Sequence, residues 1–352
     1  MKVEFLKFLF ISSRNFKSKF SNKTSFLTYF GIPFIIGLLA ALVMKTTAFD
    51  SYSYVSNPQI KNFLFLIIII SIFVGLTNSI REIVSFRAHL TKERRTGLSV
   101  SLYLLSTFSV LTVILSVQIL ILIFISDVIL DFPGSFVEFF LWPFIAGIAA
   151  TATGLLISSL VASEIAAMSF IPLVLIPQMI FSGSLIDFNK MNKEIFISYY
   201  IDEKKGDVPE ISNIMISRWA VESYILTIAT LDDPRKACMS KYSIIEESLK
   251  KKREEGLLSI KQFKEERIKQ VDLPIEQECF LIDSTINEYL EIDDEKNSEY
   301  KTNNQYRYVL GEYVQTVNFN MWMIWIYIFV FVLMSIASLK YDWWDLFKKT
   351  RE

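Results

Sequence analysis

The sequence predicts an all-helical membrane protein, and three observations lead to this fold class. The chain has 352 residues, of which 52% are hydrophobic, and its mean hydropathy is +0.38. Charged residues make up 21% of the sequence, an ordinary share for a soluble protein, so the apolar surplus must be gathered into blocks. Six such blocks occur, each of 18 or more residues without Asp, Glu, Lys or Arg.

These six blocks have the length of transmembrane helices. A helix rises about 1.5 Å per residue, so roughly 20 apolar residues cross the hydrocarbon core, and the second block meets that length marginally. The alternative is buried helices of a large soluble protein, but their apolar runs usually span only about 10–14 residues. The predicted spans are Phe26–Met44, Phe63–Ile80, Val100–Ile125, Phe139–Val161, Ile165–Leu185 and Phe319–Leu339.

Basic residues predict the orientation, because cytoplasmic loops carry an excess of Lys and Arg. They concentrate before the first span, between the second and third spans and after the sixth, which all lie on one side. The loop 126–138 holds three acidic residues and no base, as expected on the opposite side. Both termini are therefore predicted to be cytoplasmic. The basic segment 1–25 lacks the small-residue cleavage site of a signal peptide, so we expect it to stay attached.

This topology places residues 186–318 outside the cytoplasm. The segment holds 19 basic and 26 acidic residues, a net charge of −7, whereas the rest of the chain has a net charge of +6. Its apolar residues favour a folded domain over a disordered loop. Pairs such as Glu246 with Lys250 and Glu265 with Lys269 have the i, i+4 spacing that supports helices, and Gly256 is expected to separate two helices of a hairpin.

Both cysteines, Cys238 and Cys279, fall in this outer segment. A disulfide between them would close a loop around the predicted helical hairpin, and an oxidising compartment would permit it. Two buried free thiols are the alternative, since a sequence does not show whether the two Cα atoms come within about 7 Å of each other.

Composition and motifs exclude most enzyme chemistry. With one His and two Cys, a single chain cannot assemble a zinc cluster, and a net charge of −1 argues against a nucleic-acid partner. No glycine-rich phosphate loop or dinucleotide motif is present, so no catalytic, cofactor-binding or metal-binding residue is expected. The spans lack the ionised residues of ion-coupled carriers. Their few polar residues, such as Gln118, are expected to be interhelical hydrogen-bonding groups more often than substrate contacts.

The cytoplasmic loop 81–99 mixes basic, acidic and apolar residues on a short predicted helix that ends at Gly97. By composition alone it is a positively charged anchor loop. Its sequence, REIVSFRAHLTKERRTGLS, resembles the coupling helix that rests on the ATPase in type-2 ABC exporter permeases, the fold of the eukaryotic ABC G subfamily and its bacterial relatives. The resemblance assigns ATPase coupling to Arg81, Glu82, Arg87, His89, Lys92, Glu93, Arg94 and Arg95.

Three further passages resemble the same family. Residues 1–22, with RNFKSK before the first span, resemble its amphipathic connecting helix on the inner membrane surface; a merely basic tail is the alternative. Residues 171–192, IPLVLIPQMIFSGSLIDFNKMN, resemble the fifth helix and the start of a large outer loop. The string ISRWAVES at 216–223 resembles the re-entrant segment that follows, whose marked residues here are Arg218, Trp219 and Glu222.

Two positions depart from the family pattern. Phe86 stands where Glu is usual, which puts one cytoplasmic salt bridge in question, and Ile216 stands where Pro is usual, which bears on the sharpness of the re-entrant turn. Bacterial members often carry the ATPase ahead of the permease on one polypeptide. Because this sequence begins directly with the connecting helix, we expect the ATPase to be a separate chain.

The resemblance implies a dimeric permease of an ATP-driven exporter in the bacterial inner membrane. Mg-ATP would bind to a partner ATPase dimer, and this chain would hold no cofactor. In this family the substrate cavity lies at the dimer axis between the second and fifth helices, and an apolar lining suits a lipophilic or amphipathic substrate. The residues expected to line it are Phe65, Phe73, Thr77, Asn78, Ile176, Gln178, Met179 and Ile180.

Two other functional classes stay open. The chain could be a membrane sensor whose outer domain binds an envelope partner or ligand and whose ATPase transmits force without transport, or an unrelated channel-like or scaffold protein. The predicted domains are the connecting helix 1–25, spans one to five at 26–185 with the coupling segment 81–99, the extracytoplasmic insertion 186–318 with the re-entrant segment 216–230, the sixth span 319–339 and the cytoplasmic tail 340–352.

Overall fold

A computed structural model describes residues 2–21, 23–45, 60–95, 97–130, 132, 136–186, 188, 191–192, 209–231, 306–309 and 312–341. The described part of the chain is helical except for one two-stranded hairpin. Its α-helices are α1 (Lys2–Phe20), α2 (Lys23–Met44), α3 (Ile60–Ser79), α4 (Glu82–Arg95), α5 (Val100–Leu130), α6 (Phe136–Leu160), α7 (Glu164–Ile180), α8 (Ile216–Leu231) and α9 (Thr316–Lys340).

Four helices are long and apolar enough to cross a membrane: α3, which runs on into α4, together with α5, α6 and α9. They correspond to the second, third, fourth and sixth predicted spans. At the first predicted span the apolar part of α2 counted in the same way is Tyr29–Met44, and at the fifth it is α7, Glu164–Ile180; both are shorter than those four helices. By length and composition the chain is therefore a multi-pass helical membrane protein, while six spans remain a prediction.

Two helix ends differ by five residues from the predicted limits. Helix α5 continues to Leu130, and the side chain of Asp127 in its last turn accepts a hydrogen bond at 3.1 Å from the backbone N–H of Phe132, just beyond the helix end. The charge that ends the uncharged block thus lies within the helix. Helix α7 ends at Ile180, and the chain then turns at Gly183, whose φ of +79° favours glycine.

Helix α6 lies at the centre of the bundle and contacts α3, α5, α8 and α9. Every residue from 145 to 156 is buried. The crossing with α3 is close because both helices present small residues. A Cβ atom added at Gly75 would lie 2.3 Å from the carbonyl oxygen of Gly147, and one at Gly154 would lie 2.0 Å from the hydroxyl of Ser79.

The hairpin was not predicted from the sequence, which favoured a wholly helical protein. Strand β1 (Tyr306–Val309) pairs antiparallel with β2 (Glu312–Gln315), with Tyr306 opposite Gln315, and β2 leads directly into α9. The remainder of the predicted outer insertion between 232 and 305, with its helical hairpin, lies outside the described residues.

Candidate functional site

Helix α4 occupies the predicted coupling segment and follows α3 after a two-residue turn at Ile80 and Arg81. Its end has the geometry of a Schellman motif: the N–H of Leu98 donates to the carbonyl of Glu93, and the N–H of Gly97 donates to the carbonyl of Arg94, both at 3.1 Å. Gly97 adopts a φ of +93°. The short helix that the sequence predicts to end at Gly97 is therefore present.

Helix α4 buries one face and exposes the other. Ile83 and Leu90 lie on the buried face, with exposed fractions of 1% and 3%. The opposite face is a row of exposed residues spaced four and three apart, so that they align along one side of the helix. We call it the α4 stripe, and its residues are Arg81, Ser85, Ala88, Lys92 and Arg95.

The buried face of α4 is joined to the end of α6 by reciprocal capping. The hydroxyl of Ser158 accepts hydrogen bonds at 3.0 Å from the backbone N–H groups of Ile83 and Val84, two donors in the first turn of α4 that have no partner within the helix. In return, the guanidinium group of Arg87 donates to the carbonyl oxygens of Ser158 at 3.0 Å and Ser159 at 3.1 Å. These carbonyls end α6, so each helix satisfies the backbone of the other.

Helix α1 is held against α4 by two salt bridges. The guanidinium group of Arg14 contacts the two carboxylate oxygens of Glu93 at 2.7 and 3.2 Å. The ammonium group of Lys19 lies 2.5 Å from the carboxylate of Glu82. Helix α1 also exposes large apolar side chains, as an interfacial helix requires. The most exposed of these are Leu6, Leu9, Phe10 and Phe16.

Phe86, the departure from the family pattern, lies in an aromatic stack. Its ring is nearly parallel to that of Tyr103, with centroids 5.8 Å apart, and 5.0 Å from that of His89. The guanidinium carbon of Arg14 lies 6.0 Å from the centroid of Phe86. Arg14 therefore has a carboxylate partner in Glu93 and a cation–π contact with Phe86, both on α4.

The last turn of α4 reaches the end of α9. The guanidinium group of Arg94 donates to the carbonyl oxygen of Leu339 at 3.2 Å, and Leu339 is 4% exposed. Basic side chains commonly satisfy the last carbonyls of a helix in this way. Helix α4 is thus bonded to α1, α6 and α9.

The eight predicted coupling residues divide into two sets. The first set makes contacts within the chain and comprises Glu82, Arg87, Glu93 and Arg94. The second set is exposed and comprises Arg81, His89, Lys92 and Arg95. Sequence reasoning missed Ser158, since nothing in an apolar helix ending in two serines shows which hydroxyl faces a neighbouring helix.

The predicted cavity residues lie on α3 and α7, which pack against each other. Their polar side chains form hydrogen bonds within the chain. The hydroxyl of Thr77 donates to carbonyls of its own helix, at Phe73 and Val74. The amide of Asn78 donates at 2.6 Å to the side-chain oxygen of Gln118 on α5. The apolar members range from buried to exposed, namely Phe65 at 8% exposure, half-buried Phe73, Met179 and Ile180, and Ile176 at 53%.

Gln178 connects α7 to the start of α8. Its side-chain oxygen accepts a hydrogen bond at 2.8 Å from the backbone N–H of Ser217, and the hydroxyl of Ser217 donates to the Gln178 carbonyl at 2.5 Å. The chain enters α8 from an extended residue, Met215, without the proline usual at position 216. Gln178 thus supplies the partner that an N–H of the first helical turn requires.

Helix α8 covers the predicted re-entrant segment and is buried along most of its length. Arg218 is 7% exposed, bonds the side-chain oxygen of Asn213, and lies 4.7 Å above the ring of Trp219. The indole N–H of Trp219 donates to the Asn213 carbonyl at 2.9 Å. Glu222 accepts a hydrogen bond at 3.0 Å from the amide of Asn320 on α9. The three marked residues therefore fix α8 to its surroundings.

The predicted cavity residues do not line either of the following two cavities among the described helices. An apolar groove of about 680 Å³ opens between α2 and α5 beside Phe34 and Phe124. A smaller one of about 200 Å³ lies between α8 and α9 beside Trp219 and Tyr327. Cys238 and Cys279 lie outside the described residues, and no group of three or more His, Cys, Asp or Glu that could hold a metal occurs within those residues.

A comparison with protein families matches residues 7–202 to the model of the ABC-2 type transporter membrane domain. The match covers more than half of the chain and includes α1 to α7, with the coupling segment. No curated protein matches the sequence.

Proposed function

Because the chain belongs to the ABC-2 type transporter family, we propose that it is the permease subunit of an ATP-driven exporter. Members of this family are transporter permeases that work with an ATPase subunit and are not catalytic themselves. On this proposal two permeases sit on two ATPases. Mg-ATP binds to the ATPases, and the permeases convert its hydrolysis into alternating exposure of a central cavity to the two sides of the membrane.

The observation that carries the proposal is the α4 stripe. Its three basic side chains, Arg81, Lys92 and Arg95, lie on the side of α4 opposite the buried face. The buried face is bonded to α1, α6 and α9. A helix whose inner face is anchored and whose outer face presents aligned cations suits an acidic groove on a partner, since complementary charges steer and orient association. We assign that groove to the ATPase.

The distribution of aromatic residues on α9 supports a membrane-spanning position. Trp322 and Trp325 are exposed near its start, and Lys340 and Tyr341 are exposed at its end. Between Trp322 and Tyr341 the helix rises about 29 Å at 1.5 Å per residue, close to the hydrocarbon thickness of about 30 Å. Trp and Tyr favour the two interfaces, and Lys favours the cytoplasmic side. We therefore propose that α9 ends in the cytoplasm, as does the N-terminus, with residues 186–318 on the outer side.

The substrate proposal rests on the apolar character of α3 and α7. Helix α7 exposes Ile165, Met168, Leu173 and Ile176 on the outside of the single chain. In the family dimer this region faces the second permease and the central cavity, so the lining is apolar and uncharged. A lipophilic or amphipathic substrate, moved outward, fits such a lining.

The proposal is tested by co-expressing the chain with the candidate ATPases of its host and purifying the complex into lipid nanodiscs. An ATPase is expected to co-purify, and its activity should depend on the permease. The variant Lys92→Glu with Arg95→Glu should release the ATPase. Lys17→Glu, a reversal of an exposed base on α1, is the control and should leave the complex intact. A double variant that binds the ATPase as the parent does would exclude the α4 stripe as the docking surface.

A further inference from the structure

Helices α3, α4 and α6 form one group, held together by direct contacts. Helices α3 and α6 cross at Gly75 and Gly147, where an added Cβ would meet a backbone carbonyl at 2.3 Å, so the two backbones are in close contact at this crossing. Helices α4 and α6 share the reciprocal caps of Arg87 and Ser158. Separating them would leave several buried backbone groups without partners, at a cost of about 1–3 kcal/mol each.

A second group forms on the other side of α4. Helix α1 bonds α5 through the hydroxyls of Ser12 and Ser106 at 2.9 Å and through the amide of Asn15, which donates to Thr107 at 3.3 Å. Helix α2 also packs along α5, where the Gln118 amide donates at 2.8 Å to a backbone carbonyl of α2. Helices α1, α2 and α5 are therefore bonded to one another, and the amide of Asn78 on α3 also reaches this group, at the Gln118 side chain, at 2.6 Å.

The contacts between α4 and α1 are of a different kind. The salt bridge from Arg14 to Glu93 has side chains that are 39% and 28% exposed, whereas the side chains of Lys19 and Glu82 are more buried, at 10% and 20%. Partly exposed pairs contribute little and can re-form after a shift. The chain itself passes from α4 to α5 through Gly97, where a side chain would meet nothing within 4 Å. At Gly97 the connection is therefore not packed against another element.

We propose that α3, α4 and α6 move as one body against α1, α2 and α5 when the ATPase acts, with Arg87 and Ser158 transmitting the displacement of α4 to α6. This inference rests on the proposed function, because the ATPase supplies the displacement. It goes beyond it by naming the driven helix. Helix α4 is connected in sequence to α3 and α5. Its displacement is nevertheless transmitted to α6, the central helix of the bundle.

The test measures distances between spin labels in the complex with the co-purified ATPase in lipid nanodiscs. Labels are placed on single cysteines introduced at Thr91 on α4, Ala162 after α6 and Leu105 on α5, all exposed positions, with Cys238 and Cys279 replaced by Ser. Thr91 lies at the edge of the α4 stripe, so its label leaves the row itself free. Distances are compared without nucleotide and after trapping Mg-ADP with vanadate.

The expected result is that the Thr91–Ala162 distance stays constant on trapping while the Thr91–Leu105 distance shifts. Equal shifts in both pairs would overturn the inference and leave the proposed function standing. If neither distance changes although vanadate stops the ATPase, the ATPase does not move the permease. That result would contradict both the proposed function and the inference.

The two transmitting residues are tested by Arg87→Gln with Ser158→Ala. The α4 stripe is unchanged in this variant, so the ATPase should remain bound, but the Thr91–Ala162 distance should now change on trapping. Ser116→Ala, which removes a hydroxyl bonded only to the Val113 carbonyl of its own helix in this structure, is the control. Arg87→Lys with Ser158→Thr keeps the donors and the acceptor and should behave as the parent. A constant distance in the Gln/Ala variant would overturn the role of Arg87 and Ser158.

Discussion

The guanidinium group of Arg14 forms a bidentate salt bridge with the carboxylate of Glu93, at 2.7 and 3.2 Å. It thereby joins helix α1 to helix α4 in the predicted coupling segment. These residues are 79 positions apart in the sequence. The same guanidinium group lies over Phe86, the position where the family pattern has an acidic residue. The carboxylate that links the two helices thus lies seven residues beyond Phe86 on α4.

A double-mutant cycle with Arg14→Ala and Glu93→Ala tests this link. Because both side chains are partly exposed, we expect a coupling free energy of about 0.5 kcal/mol that falls at high salt. The measurement is thermal unfolding of the purified chain at two ionic strengths. Lys17→Ala combined with Glu93→Ala provides the control cycle and should show no coupling. A coupling that is absent at low salt would show that the pair does not form.

Gly75→Ala tests the close crossing of α3 and α6. The new methyl group would lie 2.3 Å from a backbone carbonyl, so the helices must separate, and we expect a loss of about 1–3 kcal/mol in the free energy of unfolding. Gly31→Ala is the matched control, because its methyl group would meet only the Leu27 side chain at 3.7 Å. Equal unfolding temperatures for the two variants would contradict the packing described for Gly75.

Variants of Asn78 and Gln118 distinguish two roles for the hydrogen bond between them: holding α3 to α5, or contacting a substrate. If the bond holds α3 to α5, the cycle of Asn78→Ala and Gln118→Ala should give a coupling free energy of about 0.6 kcal/mol, typical of interhelical bonds in membranes. Thr77→Val is the control, because that hydroxyl bonds only carbonyls of its own helix in this structure. Were Asn78→Ala to alter substrate-stimulated ATPase activity without altering stability, Asn78 would instead be a cavity residue.

The cysteines provide a test of the outer segment. A bridge between Cys238 and Cys279 closes a loop of about 40 residues and should stabilise the fold by roughly 3–4 kcal/mol on the chain-entropy model. We expect no free thiol when the protein is denatured without reductant. Two free thiols per chain would refute the bridge.

Topology is tested by single cysteines at Ser248 and Thr91 in a chain with both native cysteines replaced. The basic residues predict that Ser248 reacts with a membrane-impermeant maleimide once the outer barrier is opened, and that Thr91 reacts only after the inner membrane is lysed. Labelling of Thr91 but not Ser248 in intact inner membranes would invert the orientation. The α4 stripe would then lie on the wrong side for an ATPase.

The sequence was informative where a local signal decides the structure. Charge mixing and Gly97 predicted helix α4 and its end, because a Schellman end needs a residue that tolerates a positive φ. The partners of the α4 arginines could not be predicted in the same way. Arg87 bonds carbonyls 71 and 72 residues away and Arg94 a carbonyl 245 residues away, and every residue has a carbonyl. Such contacts depend on how helices pack.

The hairpin before α9 has a recognisable sequence pattern, although it was not predicted. Two short runs rich in aromatic and β-branched residues, YRYV and EYVQ, are separated in the sequence by Leu310 and Gly311 only. Short runs of this kind around a two-residue spacer containing Gly are typical of a β-hairpin.

The interior of α6 has a consequence for how the chain is assembled in the membrane. Its hydroxyl side chains Thr151, Thr153 and Ser159 are buried, and each donates to a carbonyl of its own helix, at 2.7 to 2.9 Å. Hydroxyl groups that are satisfied within their own helix lower the cost of placing that helix alone in lipid. We therefore expect α6 to leave the translocation machinery as an independent span and to meet α3 afterwards. In chains where α6 does not pack against α3, α6 would remain alone in the lipid. Such chains would be degraded by the proteases that remove unassembled membrane proteins.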